Sequence, residues 1–277
     1  MKVAVIQMVS GADVSANMQQ AAELLEQAAA AGAELAVLPE YFCLIGQADG
    51  DKLAIQEVPG QGRLQQFLSD TARRLGLWLA GGTIPLMAGH TAPGDPAARV
   101  YNSALVYTPQ GERVARYDKI HLFRFDNGRE RYDESEVLTA GTTPICFELP
   151  SRDGNTWRIG LSVCYDLRFP ELYRRYAAMG AQLMLVPSAF THTTGQDHWE
   201  VLLRARAIEN LAFVAAAAQG GLHDNQRRTW GHAMLVDPWG KVLRQLSQEP
   251  GVVIDELDLT QLTVCRSRLP ALQHRIL

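Results

Sequence analysis

The sequence predicts an α/β fold in which short buried strands alternate with amphipathic helices. Apolar runs such as Leu35–Leu38 and Leu183–Val186 alternate with segments whose apolar residues recur at helical spacing. The stretch Ala31-Gly-Ala-Glu-Leu-Ala-Val-Leu-Pro39-Glu40 is echoed by Met179-Gly-Ala-Gln-Leu-Met-Leu-Val-Pro187-Ser188. In both, a helix ends on Gly, a short buried strand follows, and Pro stops it. Each copy follows a strand and a helix, so right-handed crossovers would make both halves parallel and put Glu40 and Ser188 at equivalent strand ends.

The elements follow in order. Val3–Ile6 is a strand. Asn17–Ala31 is a helix with Ala21, Leu24, Leu25 and Ala28 on one face, ended by Gly32 before the strand Leu35–Leu38. Leu64–Leu75 is a second helix and Leu77–Ile84 a strand. Tyr101–Tyr107, the turn Thr108-Pro-Gln-Gly111 and Arg113–Tyr117 form a hairpin. The Gly-, Pro- and Asp-containing stretch around Ala88–Ala98 reads as a surface connection. His121–Gly141 has charge and Gly but no clean period, and reads as a long functional loop.

Ile145–Leu149 and Trp157–Val163 make a hairpin, Glu171–Met179 a helix opened by Pro170, and Leu183–Val186 a strand. Asp197–Asn210 is a helix. Phe213–Ala217, His232–Val236, Val242–Arg244 and Val252–Leu257 are further strands, followed by a basic tail containing Pro270. No linker interrupts the pattern, so residues 1–277 are expected to form a single domain.

Composition excludes several classes. The chain has 277 residues, 47% hydrophobic, which suffices for a large core. Its net charge is −4 and its 26 Lys and Arg are scattered, so neither nucleic acid nor an anionic membrane is expected as partner. The apolar run at the N-terminus meets Gln7 too early for a signal peptide, and no run approaches the roughly 20 residues of a membrane span. Cys43, Cys146, Cys164 and Cys265 show no paired spacing and read as reduced thiols of a cytoplasmic protein. His192 and His198 lack the i, i+4 spacing of zinc ligands, so no metal and no cofactor is expected.

Three reactive groups stand at the carboxyl ends of expected strands: Glu40, Lys119 and Cys164. Taken singly, Glu40 reads as a cap, Lys119 as a solvated lysine and Cys164 as core. Together they point to one crevice, because such strand ends converge. Cys164 also precedes the Pro170 helix, whose dipole would favour a thiolate. A carboxylate beside a thiol can take its proton as attack begins, and an ammonium with a backbone N–H after the nucleophile can hold an oxyanion. A second carboxylate would keep the lysine charged and oriented. Candidates are Glu130, Glu134 and Glu136.

Leu38-Pro-Glu40, Tyr117-Asp-Lys119-Ile-His-Leu-Phe123 and Gly160-Leu-Ser-Val-Cys164-Tyr-Asp-Leu-Arg168-Phe-Pro-Glu171 resemble the three signatures of the nitrilase superfamily of carbon–nitrogen hydrolases. Pro187-Ser-Ala-Phe190, His198-Trp-Glu200 and Gly231-His-Ala-Met-Leu-Val-Asp-Pro-Trp-Gly240 extend the resemblance to nearly the full chain. It implies a four-layer αββα sandwich, a homodimer or higher even homo-oligomer, and a triad on Glu40, Lys119 and Cys164. The family's second glutamate falls on Glu134, since Tyr132-Asp-Glu134-Ser135 is similar to its aromatic-x-Glu-Ser pattern, with Tyr where Phe is usual.

The segment after Cys164 resembles the branch of deaminated-glutathione amidases and ω-amidases. The helix His198–Glu209, Ala216-Ala-Ala-Gln219 and the tail Leu269–Arg275 are most similar to the first, while Asn210 echoes the second. The resemblance therefore implies hydrolysis of a small α-keto acid amide through a cysteine thioester. Tyr165 would supply the N–H and Arg168 would bind the substrate carboxylate, unless it is tied to Asp166 or Glu171. Phe190 and Thr194 would wall the pocket, where Gln196-Asp197 replaces the branch's usual Pro-Ala. Two other classes stand beside this: a cysteine peptidase using His121 as base, and a non-enzymatic binding protein on the same scaffold.

Overall fold

Alternation along the first strand sorts the molecule into layers. In β1 (Lys2–Met8), Val3 and Val5 join one apolar cluster, and Ala4, Ile6 and Met8 join another. The second cluster also holds Ala21, Leu24, Leu25 and Ala28 of α1 (Val14–Ala30), so this helix covers the outer face of the sheet. The computed structural model describes residues 1–89 and 98–276. Residues 90–97 of the expected surface connection lie outside the described residues.

After α1 come β2 (Leu35–Val37), the short α2 (Asp51–Ala54), α3 (Arg63–Leu75), β3 (Trp78–Ala80) and β4 (Ile84–Met87), then the hairpin β5 (Val100–Tyr107) and β6 (Arg113–Asp118). A two-stranded ribbon follows, β7 (Arg124–Asp126) with β8 (Arg131–Asp133). The second half runs β9 (Cys146–Pro150), β10 (Thr156–Leu161), α4 (Pro170–Ala178), β11 (Leu183–Leu185), α5 (His192–Asn210) and β12 (Phe213–Ala216). Then come β13 (Ala218–Leu222), β14 (Arg228–Trp230), β15 (Met234–Val236), β16 (Val242–Gln245), β17 (Gly251–Glu256) and α6 (Leu259–Arg268).

The first sheet runs β14-β13-β1-β2-β3-β5-β4, with β17 also paired to β1 and β6 to β5. The second runs β16-β15-β12-β11-β10-β9. β1, β2 and β3 are parallel, and so are β10, β11 and β12, as the repeated motif implies. Val3, Val37 and Val106 of the first sheet share a core with Trp157, Ile159 and Leu185 of the second. Tyr173 and Tyr176 of α4 and Trp199 and Leu203 of α5 extend that core beyond the second sheet. The layers are therefore helices, sheet, sheet, helices: the expected αββα sandwich.

Several elements differ from the sequence reading, among them the short α2 and the hairpin β13–β14, which it did not contain. The expected strand 77–84 is broken into β3 and β4. Gly82 has φ +58°, and a Cβ there would meet the Pro39 carbonyl oxygen at 2.1 Å. The break lets this segment pass close under Pro39 and offer Thr83 Oγ1 to the Tyr41 N–H at 2.9 Å. Helix α5 begins at His192 rather than Asp197. Its first turn is poor in helix formers, but Gly195 lets Trp230 pack where a Cβ would stand 2.3 Å away, so tertiary packing overrides propensity.

The tail contains α6, whose Asp258 cap accepts the Thr260 N–H at 2.7 Å. Arg266 pins it by donating to the Leu211 and Ala181 carbonyls. The 121–141 segment is not wholly irregular: β7, β8 and a 3-10 turn at Glu134–Glu136 order it. No helix among the described residues is long and apolar enough to cross a membrane.

Candidate active site

Glu40 sits just beyond β2, and its carboxylate, 1% exposed, is held by donors from both sheets. Oε1 accepts Asn102 Nδ2 at 2.8 Å and Lys119 Nζ at 2.9 Å; Oε2 accepts the Ala189 N–H at 2.8 Å. Ala189 follows Ser188, so the two equivalent strand ends of the repeat meet at this carboxylate. Gln219 Nε2 reaches the Glu40 carbonyl at 3.2 Å.

Lys119 follows β6, its N–H donating to the Asn102 carbonyl of the paired strand at 3.0 Å. Its ammonium is 1% exposed and lies 2.8 Å from the Glu134 carboxylate. Glu134 opens the 3-10 turn that Asp133 caps; it also accepts the Tyr41 hydroxyl at 2.8 Å and the Phe123 N–H at 2.7 Å. Burial alone would lower the lysine's pKa, but Glu134, Glu40 and the Cys164 sulfur outweigh it and push the pKa up. Burial would raise Glu134, yet the Lys119 charge and these hydrogen bonds hold it below the usual carboxylate range.

Cys164 follows β10 and opens a 3-10 turn over Cys164–Arg168. Its backbone is left-handed, φ +49°, uncommon for a residue with a Cβ and typical of strain held at functional positions. The Pro187 carbonyl accepts its N–H at 3.0 Å. Asp166 fixes the turn, accepting the Val163 N–H at 2.8 Å and the Tyr117 hydroxyl at 2.6 Å. Arg206 donates twice to the Leu167 carbonyl.

The helix-dipole expectation for the thiol is corrected. The 3-10 turn separates Cys164 from α4, and burial and the Glu40 carboxylate push the thiol well above its ordinary pKa despite Lys119. Two buried carboxylates already face one ammonium, so a resting thiolate would add a second unbalanced negative charge.

A narrow cleft of about 20 Å³ opens on these groups. Tyr165, Arg168, Phe190 and Thr194 all line it with Cys164, as does Glu134. Arg168 is tied to neither Asp166 nor Glu171. Its Nη1 lies 3.2 Å from His198 Nδ1, and its guanidinium lies over the Phe190 ring at 5.2 Å. Of the alternative glutamates, Glu130 accepts the Thr193 hydroxyl and Glu136 pairs with Arg131 at the surface, so neither reaches Lys119. His121 Nδ1 is 2.7 Å from Asp166 Oδ1 and its ring stacks on Phe169 at 3.7 Å. It is held away from the thiol, against its use as a peptidase base.

Sequence reasoning missed Asn102, Tyr41, the Ala189 N–H and Arg227, which also lines the cleft. Only Asn102 had a visible signal: it and Ser103 are polar, buried residues inside the otherwise apolar β5.

A model of the carbon-nitrogen hydrolase family matches residues 2–267. The chain belongs to the carbon–nitrogen hydrolase family. It is 40% identical to a deaminated glutathione amidase of Synechocystis sp., over 99% of this chain and 97% of that one. It is 35% identical to omega-amidase NIT2 of Danio rerio, over 99% and 94%. The crystal structure of Saccharomyces cerevisiae Nit3, a member of branch 10 of the nitrilase superfamily, superposes with a TM-score of 0.83 at 30% identity, covering 98% of this chain and 94% of that one. Membership makes this carbon–nitrogen hydrolase an enzyme acting on C–N bonds and sets aside the non-enzymatic reading.

Proposed function

We propose that this hydrolase is an amidase cleaving a small α-keto acid amide, with deaminated glutathione the substrate that fits best. The observation that carries the chemistry is the Lys119 ammonium held between Glu40 and Glu134, the two carboxylates that line the cleft containing Cys164. Cys164 Sγ attacks the amide carbonyl while Glu40 takes the thiol proton. The oxyanion lies against Lys119 and the Tyr165 N–H, one of the donors that the first turn of a helix leaves unused. Glu40 passes the proton to the departing nitrogen, the C–N bond breaks, and a thioester remains. Glu40 then takes a proton from water, the hydroxyl adds to the thioester carbon, and the C–S bond breaks. The thiol recovers its proton as the carboxylic acid leaves. Glu134 keeps Lys119 charged and aimed.

The substrate class rests on Arg168, on the wall formed by Phe190 and Thr194, and on the similarity to the Synechocystis enzyme. A second reading, an ω-amidase acting on α-ketoglutaramate, is favoured by Asn210 and by the Danio rerio relative. A kcat/KM comparison decides between them. The first reading expects deaminated glutathione to exceed α-ketoglutaramate at least tenfold, about 1.4 kcal/mol. The reverse order makes the protein an ω-amidase. We further read residues 1–277 as one hydrolase domain of a cytoplasmic enzyme. Exposed Val201, Ile208 and Trp239 support assembly into an even-numbered homo-oligomer.

A further inference from the structure

We propose that a basin outside the Cys164 cleft is a second carboxylate-binding subsite, anchored by Arg227, that holds the amine half of the substrate. The inference rests on the amidase reading and adds to it the chemistry of the leaving group. The basin is open to solvent, with a volume of about 390 Å³, and its charged lining is Lys52, Arg129, Arg131 and Arg227 against Asp49 and Glu130. Lys52 and Asp49 cancel as a pair at 2.8 Å, and Arg131 pairs with Glu136, which leaves Arg129 and Arg227 against the single charge of Glu130. The basin is therefore electropositive in a protein whose net charge is negative.

Arg227 joins the basin to the catalytic cleft, since it lines both. Its guanidinium lies over the Tyr132 ring at 4.9 Å, and Nη2 donates to the Ala189 carbonyl at 3.3 Å. Ala189 is also the residue whose N–H holds Glu40, so the guanidinium is anchored one residue from the carboxylate beside the nucleophile. Among the described residues Arg227 makes no ion pair, although its charge helps hold the Asp49 carboxyl low, and its buried Nε has no acceptor. A desolvated donor on a fixed cation is unfavourable until a ligand supplies the oxygen. The segment is built rather than loose. Arg227 N–H donates to Asn225 Oδ1 at 2.9 Å, and Asn225 Nδ2 donates to the Gly46 carbonyl across the basin.

Two separate cations thus flank Cys164. Arg168 lines the inner cleft and faces the acyl half; Arg227 opens onto the basin. A substrate with a carboxylate at each end spans them with its scissile carbonyl between. An amide that releases ammonia leaves the basin unused. An amide whose leaving amine is a carboxylate-bearing amino acid or dipeptide fills it, as cysteinylglycine from deaminated glutathione would.

The test compares kcat/KM for deaminated glutathione and its C-terminal primary amide in the wild type, Arg227→Gln and Arg227→Lys, with calorimetric binding of cysteinylglycine to each. The wild type should prefer the free acid about tenfold or more, the range of a charged hydrogen bond. Arg227→Gln should bring that ratio near one and weaken cysteinylglycine about tenfold, and Arg227→Lys should restore part of both. An equal loss on both substrates, no preference in the wild type, or unchanged dipeptide binding in Arg227→Gln overturns the subsite. If the wild type turns over α-ketoglutaramate but neither deaminated compound, the substrate reading fails, and dipeptide binding alone decides the subsite.

Discussion

Lys119 Nζ lies 2.8 Å from the carboxylate of Glu134, a residue that reaches it from a separate loop after β8. Glu134 spends its remaining acceptors on Tyr41 and Phe123 and has none directed at Cys164. Glu40 shares the same ammonium but also faces the thiol. In the proposed mechanism the two carboxylates divide the work, one fixing the cation and the other moving the proton. Glu134→Gln should lower kcat about 100-fold while moving KM less than about threefold, the scale of losing one oriented electrostatic group. Steady-state amine release measures both, and a loss confined to KM would contradict the division.

The same ion pair sets a pH dependence of stability. Glu134 has its pKa lowered in the fold, so its contribution is complete above the unfolded value near 4.3 and is lost as pH falls through the folded value. Lys119 has its pKa raised, so its share is complete below about 10.4 and is lost only as pH rises through the folded value. Stability from this pair should hold from about pH 5 to 10. Glu134→Gln should cost about 3 kcal/mol at pH 7, and its deficit should shrink below about pH 4. Thermal melts across pH check this, and a deficit constant from pH 3 to 8 would contradict it.

Among the described residues the Arg168 guanidinium, beside Phe190 in the cleft, has His198 as its polar partner and makes no ion pair. Arg168→Lys loses the planar, bidentate fork and should raise KM about tenfold for α-keto acid amides but not for neutral amides. Equal effects on both classes would remove Arg168 from carboxylate recognition.

His121 offers a contrast. Tied to Asp166 and stacked on Phe169, it should matter for the shape of the turn rather than for proton transfer. His121→Ala should reduce kcat by less than about tenfold and lower the melting temperature, whereas a loss of about 10⁴ in kcat would restore it as a base.

The strand ends carrying Glu40 and Cys164 were legible because each closes an apolar run with a breaker or a polar residue, and Lys119 because it follows the second strand of a hairpin marked by its Pro-Gln-Gly turn. The sandwich's parallel halves were legible in the Gly-strand-Pro repeat. What escaped was made by contacts distant in sequence. The Ala189 N–H on Glu40 bridges 149 positions, and a backbone donor carries no side-chain signature. Arg227 lies in a polar turn that looks like any solvated loop. The first turn of α5 exists because Trp230 packs on Gly195, a contact no local propensity encodes. The thiol's raised pKa is also tertiary, since it needs Glu40 and burial together.

The central claim is that Cys164, deprotonated by Glu40 only as it attacks, carries the acyl group. Intact-mass spectrometry of enzyme acid-quenched during turnover of deaminated glutathione tests it most directly, with Cys164→Ala as the paired variant. The expected result is a mass increase equal to the α-ketoglutaryl group, mapped to Cys164, with amine released in a burst before the acid. No turnover is expected in a folded Cys164→Ala protein. Turnover by that variant, or an adduct mapped to any other residue, would contradict it.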